Sequence, residues 1–163
     1  MAIADGPSDD AHEAMCRRCG VSCHLAIPVN GVPIIVPGLH CRYLREERRG
    51  EFVCTVYDER FARAPWCHHA AQAAPLGYLA RDCPYALTGG WRHGKVKPGR
   101  ALMRTTWPAI RAEIVRAGLP DWIDEPAFLR AARVELGEAE VSIRAWPGRP
   151  GRRQVVFGGQ HEA

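Results

Sequence analysis

Seven cysteines carry the most distinctive chemistry of this chain, and all of them lie in its first half. They are Cys16, Cys19, Cys23, Cys41, Cys54, Cys67 and Cys83. The first two form a C-x-x-C pair, and two thiolates at this spacing can bind one metal ion from a tight turn whose backbone N–H groups point at the sulfurs. The pattern therefore predicts a metal site in which all seven thiols are candidate ligands.

Two other interpretations of these cysteines stay open. A C-x-x-C pair can be a thioredoxin-like redox site, but that needs a strand before the pair and a helix after it. Here a polar segment precedes Cys16, and Cys23 follows four residues after Cys19. A single cysteine such as Cys54 can also be a small buried hydrophobic residue. Seven cysteines between Cys16 and Cys83 are nevertheless more than a core of that length requires.

Three histidines adjoin cysteines in the sequence, namely His24, His40 and His68. His24 is the weaker additional candidate for a metal ligand, because it directly follows Cys23 within the cluster. For the other two an ordinary surface position is expected. The acidic pairs of the chain are typical of a solvated surface, so we do not expect an enzyme from these residues.

The order of the motifs resembles a bacterial cysteine-cluster family, described as a zinc- or iron-chelating domain, whose opening reads C-x-x-C-x-x-C-C. The matching segments are Cys16-Arg-Arg-Cys19-Gly-Val-Ser22-Cys23, then Cys41-Arg-Tyr-Leu44, then Gly50-Glu-Phe-Val-Cys-Thr-Val-Tyr-Asp-Glu-Arg60, and last Pro65-Trp-Cys67. Together they cover roughly residues 15–85. The resemblance implies a bound metal, but no established reaction.

One residue departs from the family pattern. Ser22 stands where the family has its third clustered cysteine, so one ligand is missing or replaced. His24 and Cys83 are the available substitutes.

The spacing favours an iron–sulfur cluster or iron over zinc. Structural zinc sites usually combine two close ligand pairs, whereas this chain has one close pair and scattered single cysteines. Scattered cysteines are typical of iron–sulfur proteins, in which a Cys-Pro step such as Cys83-Pro84 also recurs. Zn²⁺ in a closed site of four cysteines, or of three cysteines and a histidine, is the alternative. Either one centre leaves three thiols over, or two centres share seven cysteines and one histidine.

Composition limits the partners and the compartment. The chain has 163 residues, a net charge of +4 and a pI near 8.8. A dedicated nucleic-acid domain usually has a pI above about 9, so nucleic acid is not an expected partner. The most apolar stretch, Val32–Leu39, is interrupted by two prolines and is too short to cross a membrane. With no signal-peptide pattern and an odd number of cysteines, we expect a reducing cytoplasm.

The pattern of apolar residues predicts an α+β protein. A small, irregular, Cys-rich half with short strands would be held together by metal, and two helices and a C-terminal β-hairpin would follow. We expect a flexible tail at 1–14, the cysteine-cluster metal-binding region at 15–87 and a Gly-rich loop at 88–100. A helix–helix–hairpin appendage at 101–163 would pack on the metal-binding half.

Local signals predict where the elements begin and end. Asn30-Gly31 predicts a hairpin between two apolar runs, and alternation predicts a strand at Glu51–Tyr57. The charged segment Arg42–Arg49 reads as a connector or a single helical turn. In the C-terminal part, helices are predicted to begin at Thr106 and Asp124 and to end at Gly118 and Gly137, before a hairpin of Val141–Ala145 and Gln154–Phe157.

The sequence thus predicts a metal-binding protein with a structural, electron-transfer or metal-handling role. One alternative is a zinc-stabilised module that contacts protein or nucleic acid through Arg17, Arg18, Arg48 and Arg49. The other is an enzyme that uses an iron–sulfur centre or an open metal position.

Overall fold

The computed structural model describes residues 9–159 and contains, in that range, six α-helices and seven β-strands, which confirms the predicted α+β class. The helices are α1 (Asp9–Met15), α2 (Arg60–Arg63), α3 (Ala70–Ala73), α4 (Pro84–Thr88), α5 (Arg100–Ala117) and α6 (Glu125–Val134). The strands are β1 (His24–Val29), β2 (Val32–His40), β3 (Leu44–Arg48), β4 (Glu51–Cys54), β5 (Leu119–Pro120), β6 (Val141–Ala145) and β7 (Arg152–Phe157).

The strands form three small antiparallel sheets, in the orders β1-β2, β3-β4 and β5-β7-β6. None of the helices in the described range is both long enough and apolar enough to span a bilayer.

The chain divides into two compact units. The first contains residues 9–23 and Tyr43–Lys97, and the second contains His24–Arg42 and residues 98–159. The sequence placed His24–Arg42 with the cysteine cluster, but this hairpin belongs to the second unit. The reason is burial, because the apolar side chains of β1 and β2 pack on α5 and α6. The boundary after Lys97 does lie within the predicted Gly-rich loop.

The second unit has the larger hydrophobic core. Helix α5 contributes Met103, Trp107, Ile110 and Ile114. Hairpin β1–β2, helix α6 and the three-stranded sheet supply the rest, including Ile27, Ile34, Val36, Leu39, Phe128, Val155 and Phe157. The apolar faces of α5 and α6 therefore pack within the second unit.

Several local signals gave correct elements. Asn30 and Gly31 have φ angles of +50° and +78°, and they connect β1 to β2 as the Asn-Gly pair predicts. The Asp124 side chain caps α6 by accepting a hydrogen bond of 3.0 Å from the Ala127 N–H. Gly118 ends α5 with a φ of +69°, and the C-terminal hairpin forms from β6 and β7.

Other predicted boundaries were wrong. Helix α5 begins at Arg100, six residues before the predicted cap, and the Thr106 hydroxyl instead bonds the Leu102 carbonyl inside the helix, at 2.7 Å. Helix α6 ends at Val134, before Gly137. The local cap signal at Thr106 and the stop signal at Gly137 therefore do not mark the ends of these helices.

Two segments of the first unit also differ from prediction. The charged connector is largely strand β3, because it pairs along its length with β4. The predicted strand at Glu51–Tyr57 ends at Cys54 and continues into a 3₁₀ turn at Tyr57–Glu59. Within the predicted tail, Asp9–Met15 is helix α1, which contacts α3 and α4, while residues 1–8 lie outside the described residues.

Candidate metal centre

The C-x-x-C pair lies in a tight turn directly after α1. Arg18 has a φ of +52° and Gly20 a φ of +71°, so the backbone reverses direction within a few residues of Cys16. The Arg18 N–H donates a hydrogen bond of 3.4 Å to the Cys16 sulfur. A backbone amide directed at a thiol is the arrangement that stabilises sulfur ligands in metal sites.

Gly20 is required in this turn by a close approach of β4. A Cβ atom at residue 20 would lie 2.7 Å from the Phe52 ring, and the Phe52 N–H donates to the Arg18 carbonyl at 2.8 Å. Strand β4 therefore holds the turn in place.

Cys83 approaches this turn from a distant part of the sequence. Cys83 is the residue that precedes α4. The pKa of Cys16 is raised chiefly by burial, because its thiol is partly enclosed although the residue is exposed, and Cys19, Glu13 and Cys83 add electrostatic repulsion against the thiolate. Cys19 and Cys83 are therefore close enough to Cys16 to disfavour its thiolate form.

Two contacts on either side of these cysteines connect the turn to α4 and the residue before it. The Arg17 guanidinium donates to both carboxylate oxygens of Asp82, at 3.1 and 3.3 Å. This pairing lowers the pKa of Asp82. On the other side the Thr88 hydroxyl lies 3.7 Å from the Met15 sulfur, while its hydrogen is donated to the Pro84 carbonyl at 2.8 Å. The contacts join residues 65 and 73 positions apart in the sequence.

A small apolar core lies beside the same elements. It consists of Ala73, Ala74, Leu79, Tyr85 and Ala86, with Met15, Ala70, Cys83 and Trp91 packed around it. The Cys83 side chain therefore lies at the edge of the core of the first unit, where its backbone has little freedom to move.

Lys95 is a buried residue of the first unit whose role the sequence did not reveal. It is 9% exposed, and its ammonium donates to the carbonyl oxygens of Ser22 and Val21 at 3.0 and 3.4 Å. Burial lowers the pKa of Lys95 to about 8, and the nearby thiol of Cys23 acts in the opposite direction. Lys95 thereby holds the 3₁₀ turn Val21–Cys23, which follows the C-x-x-C pair.

The other predicted ligands are distributed over both units. Cys54 ends β4, and the Cys67 N–H bonds the Ala64 carbonyl at 2.8 Å, so both belong to the first unit. Cys41 is buried in the second unit, where it forms an isolated β-bridge with Ile123. His24 also belongs to the second unit.

Among residues 9–159, no group of three or more His, Cys, Asp and Glu side chains is placed to hold a metal ion as it stands. The seven candidate thiols, Cys16, Cys19, Cys23, Cys41, Cys54, Cys67 and Cys83, thus do not form a ready coordination site in this range. The assignment of these residues as ligands stays a prediction.

Comparison with known proteins adds no relative. No protein-family model, no curated protein and no solved structure matches this chain. The resemblance to the cysteine-cluster family therefore depends on the motif residues alone.

Proposed function

We propose that this protein binds a thiophilic metal, with an iron–sulfur cluster or iron favoured over Zn²⁺, at a centre built around Cys16, Cys19 and Cys83. The observation that supports this most is the approach of Cys83 to the C-x-x-C turn. It adds a third thiol to a pair whose spacing already suits a metal. The role would be structural, in electron transfer or in metal handling.

The donor chemistry fits such a group, although the side chains are not yet in coordinating positions. Soft thiolates select iron–sulfur clusters and zinc, and the amide of Arg18 already points at the Cys16 sulfur. Closing a coordination sphere requires the thiols to draw together and a fourth ligand to join them. Cys23 is the nearest candidate in sequence, because it ends the turn that Lys95 holds.

The first test is to purify the full chain anaerobically with its thiols reduced, and to measure its metal content and absorption spectrum. Iron and sulfide with visible charge-transfer bands would indicate a cluster, and a colourless zinc protein would favour the alternative. A chain that stays metal-free after reconstitution with both would refute the proposal.

Serine variants of single cysteines locate the centre. Cys16→Ser, Cys19→Ser and Cys83→Ser should each lose most of the bound metal, because each removes a central ligand. Cys41→Ser is the matched comparison, since Cys41 lies in the second unit. If Cys41→Ser loses metal as well, the ligand set is the wider one that the family resemblance implies. If Cys83→Ser keeps all of its metal, the proposed centre is wrong.

A further inference from the structure

A pair of buried histidines lies in the second unit, at the open end of hairpin β1–β2. His24 is the first residue of β1 and His40 the last residue of β2, and the two are direct partners across the antiparallel ladder. Both are buried, with exposed fractions of 8% and 9%. Histidine is usually only partly buried, so two at facing positions require an explanation.

The separation of the two rings suits a shared metal ion. Their centres lie 5.1 Å apart and their planes are inclined by 66°. Two imidazoles on one tetrahedral metal have ring centres about 5 Å apart, since each nitrogen lies about 2.1 Å from the metal and each ring centre about 1.1 Å beyond it. The observed spacing equals that of two adjacent ligands, and it is also an ordinary distance for edge-to-face packing of two rings, so a metal titration must distinguish the two.

The tautomer of His40 leaves the correct nitrogen available. His40 Nδ1 lies 2.9 Å from the Cys41 carbonyl oxygen. Because a carbonyl oxygen only accepts, Nδ1 carries the hydrogen, and in the neutral ring Nε2 then has the lone pair. Metal-binding histidines characteristically donate their second nitrogen to a backbone carbonyl in this way.

The backbone around His40 is held by the segment that leads into α6. The Asp124 N–H donates to the His40 carbonyl at 2.9 Å, and the Arg42 N–H donates to the Trp122 carbonyl at 3.1 Å. Between these bonds Cys41 pairs with Ile123. A ligand on a strand fixed from both sides keeps its position when a metal arrives.

We propose that His24 and His40 form a nitrogen-donor site for a divalent transition metal such as Zn²⁺, bound by Nε2 of His40 and a ring nitrogen of His24. Imidazole suits zinc, copper and nickel. Within residues 9–159 these two side chains do not belong to any ligand group of three or more, so water would have to complete the coordination. The site uses different donors, in a different unit, from the proposed thiolate centre.

The direct test is a Zn²⁺ titration of the full, reduced, ¹⁵N-labelled chain, followed through the two-bond ¹H–¹⁵N correlations of the histidine rings. We expect the ring nitrogens of both His24 and His40 to shift in one common saturable step. Ring signals that stay unchanged through saturation with Zn²⁺ would overturn the proposal, and this readout needs no variant.

Variants of the two histidines then test this binding step through the number of Zn²⁺ ions that the chain binds. His24→Gln and His40→Gln should each lose one equivalent of Zn²⁺, or weaken that step more than about tenfold. His93→Gln is the matched control, because His93 is exposed and bonds the Pro75 carbonyl in the first unit. If the Gln variants only lower stability and bind as much Zn²⁺ as the parent, the two rings pack edge to face and hold no metal.

The two proposals can fail separately. Cys16→Ser should remove the thiolate step and leave the histidine shifts intact. If Cys16→Ser abolishes both, the His24–His40 site is not an independent one and the inference is wrong.

Discussion

The buried ammonium of Lys95 makes stability depend on pH in a direction that can be worked out. Its pKa is about 8 in the native chain, against 10.5 for an exposed lysine in the unfolded chain. Between these values the unfolded chain holds more protons on this group than the native chain does. The free energy of unfolding therefore rises with pH across this window. Below about pH 8 the cost of burying the charge is fully present.

The size of the effect follows from the separation of the two pKa values. A difference between about 8 and 10.5 corresponds to about 3 kcal/mol in total, and about 2 kcal/mol of it falls between about pH 7.5 and 10. The thiols titrate in the same range. Cys16, whose pKa is raised, acts in the opposite direction, because the unfolded chain loses that proton first. The contribution of Lys95 must therefore be measured as a difference.

The assay compares the parent with Lys95→Met by urea denaturation from about pH 7.5 to 10, with reductant and a chelator present. Methionine keeps most of the length of the lysine side chain and removes the titrating ammonium. Any packing change therefore alters the free energy of unfolding of Lys95→Met by the same amount at every pH. The parent should gain about 2 kcal/mol relative to Lys95→Met over this range. Hydrogen exchange of residues 15–23 and 78–97 would report the first unit specifically.

Two controls separate Lys95 from its neighbours. Lys97→Met removes the other lysine, which is exposed, and should run parallel to the parent at every pH. Repeating the pair in a Cys23→Ser background removes the thiol that interacts electrostatically with Lys95. Parallel pH profiles of the parent and Lys95→Met would refute the reasoning, since they would mean that the ammonium keeps its ordinary pKa.

Three further predictions follow from the packing. Gly38→Ala should lower the free energy of unfolding by about 2–4 kcal/mol, because a Cβ at this residue would lie 2.5 Å from the Ala127 carbonyl oxygen and the backbone has a φ of +73°. Urea denaturation measures this loss, and a value below about 0.5 kcal/mol would contradict the packing of β2 on α6. Arg17→Met breaks the exposed pair with Asp82 and should change the free energy of unfolding by less than about 1 kcal/mol, so a larger loss would show that the pair is a main support of the turn. A fragment of residues 98–159 lacks hairpin β1–β2 and its share of the core, so its circular dichroism should show no cooperative melting; a sharp transition would mean that the hairpin is dispensable.

Features that depend on a few neighbouring residues could be predicted from the sequence. The turn at Asn30-Gly31, the cap at Asp124 and the helix end at Gly118 were predicted correctly. Each is decided by the φ angle or hydrogen bond of a residue and its immediate neighbours. The alternation of Val141–Ala145 likewise predicted its strand. For the candidate metal centre, the sequence supplied the C-x-x-C pair and the list of thiols.

Features that depend on distant residues were decided by tertiary structure. The charged segment Leu44–Arg48 forms a strand because it pairs with β4 through backbone hydrogen bonds. Its own residues have no alternating apolar pattern that would predict a strand. Hairpin β1–β2 joined the second unit because its apolar face is buried there. Strand pairing and burial depend on many contacts between segments that are far apart in sequence. Local conformational preferences carry no information about those contacts.

The same distinction between local and long-range information applies to the candidate site. The sequence by itself determined which residues can bind metal, since that is a property of the side chains. Only the tertiary structure decided that Cys83 approaches Cys16, that Lys95 is buried against the turn before Cys23, and that His24 faces His40. Such neighbours are created by the folded path of the chain, because residues far apart in sequence come together only when the segments between them have packed.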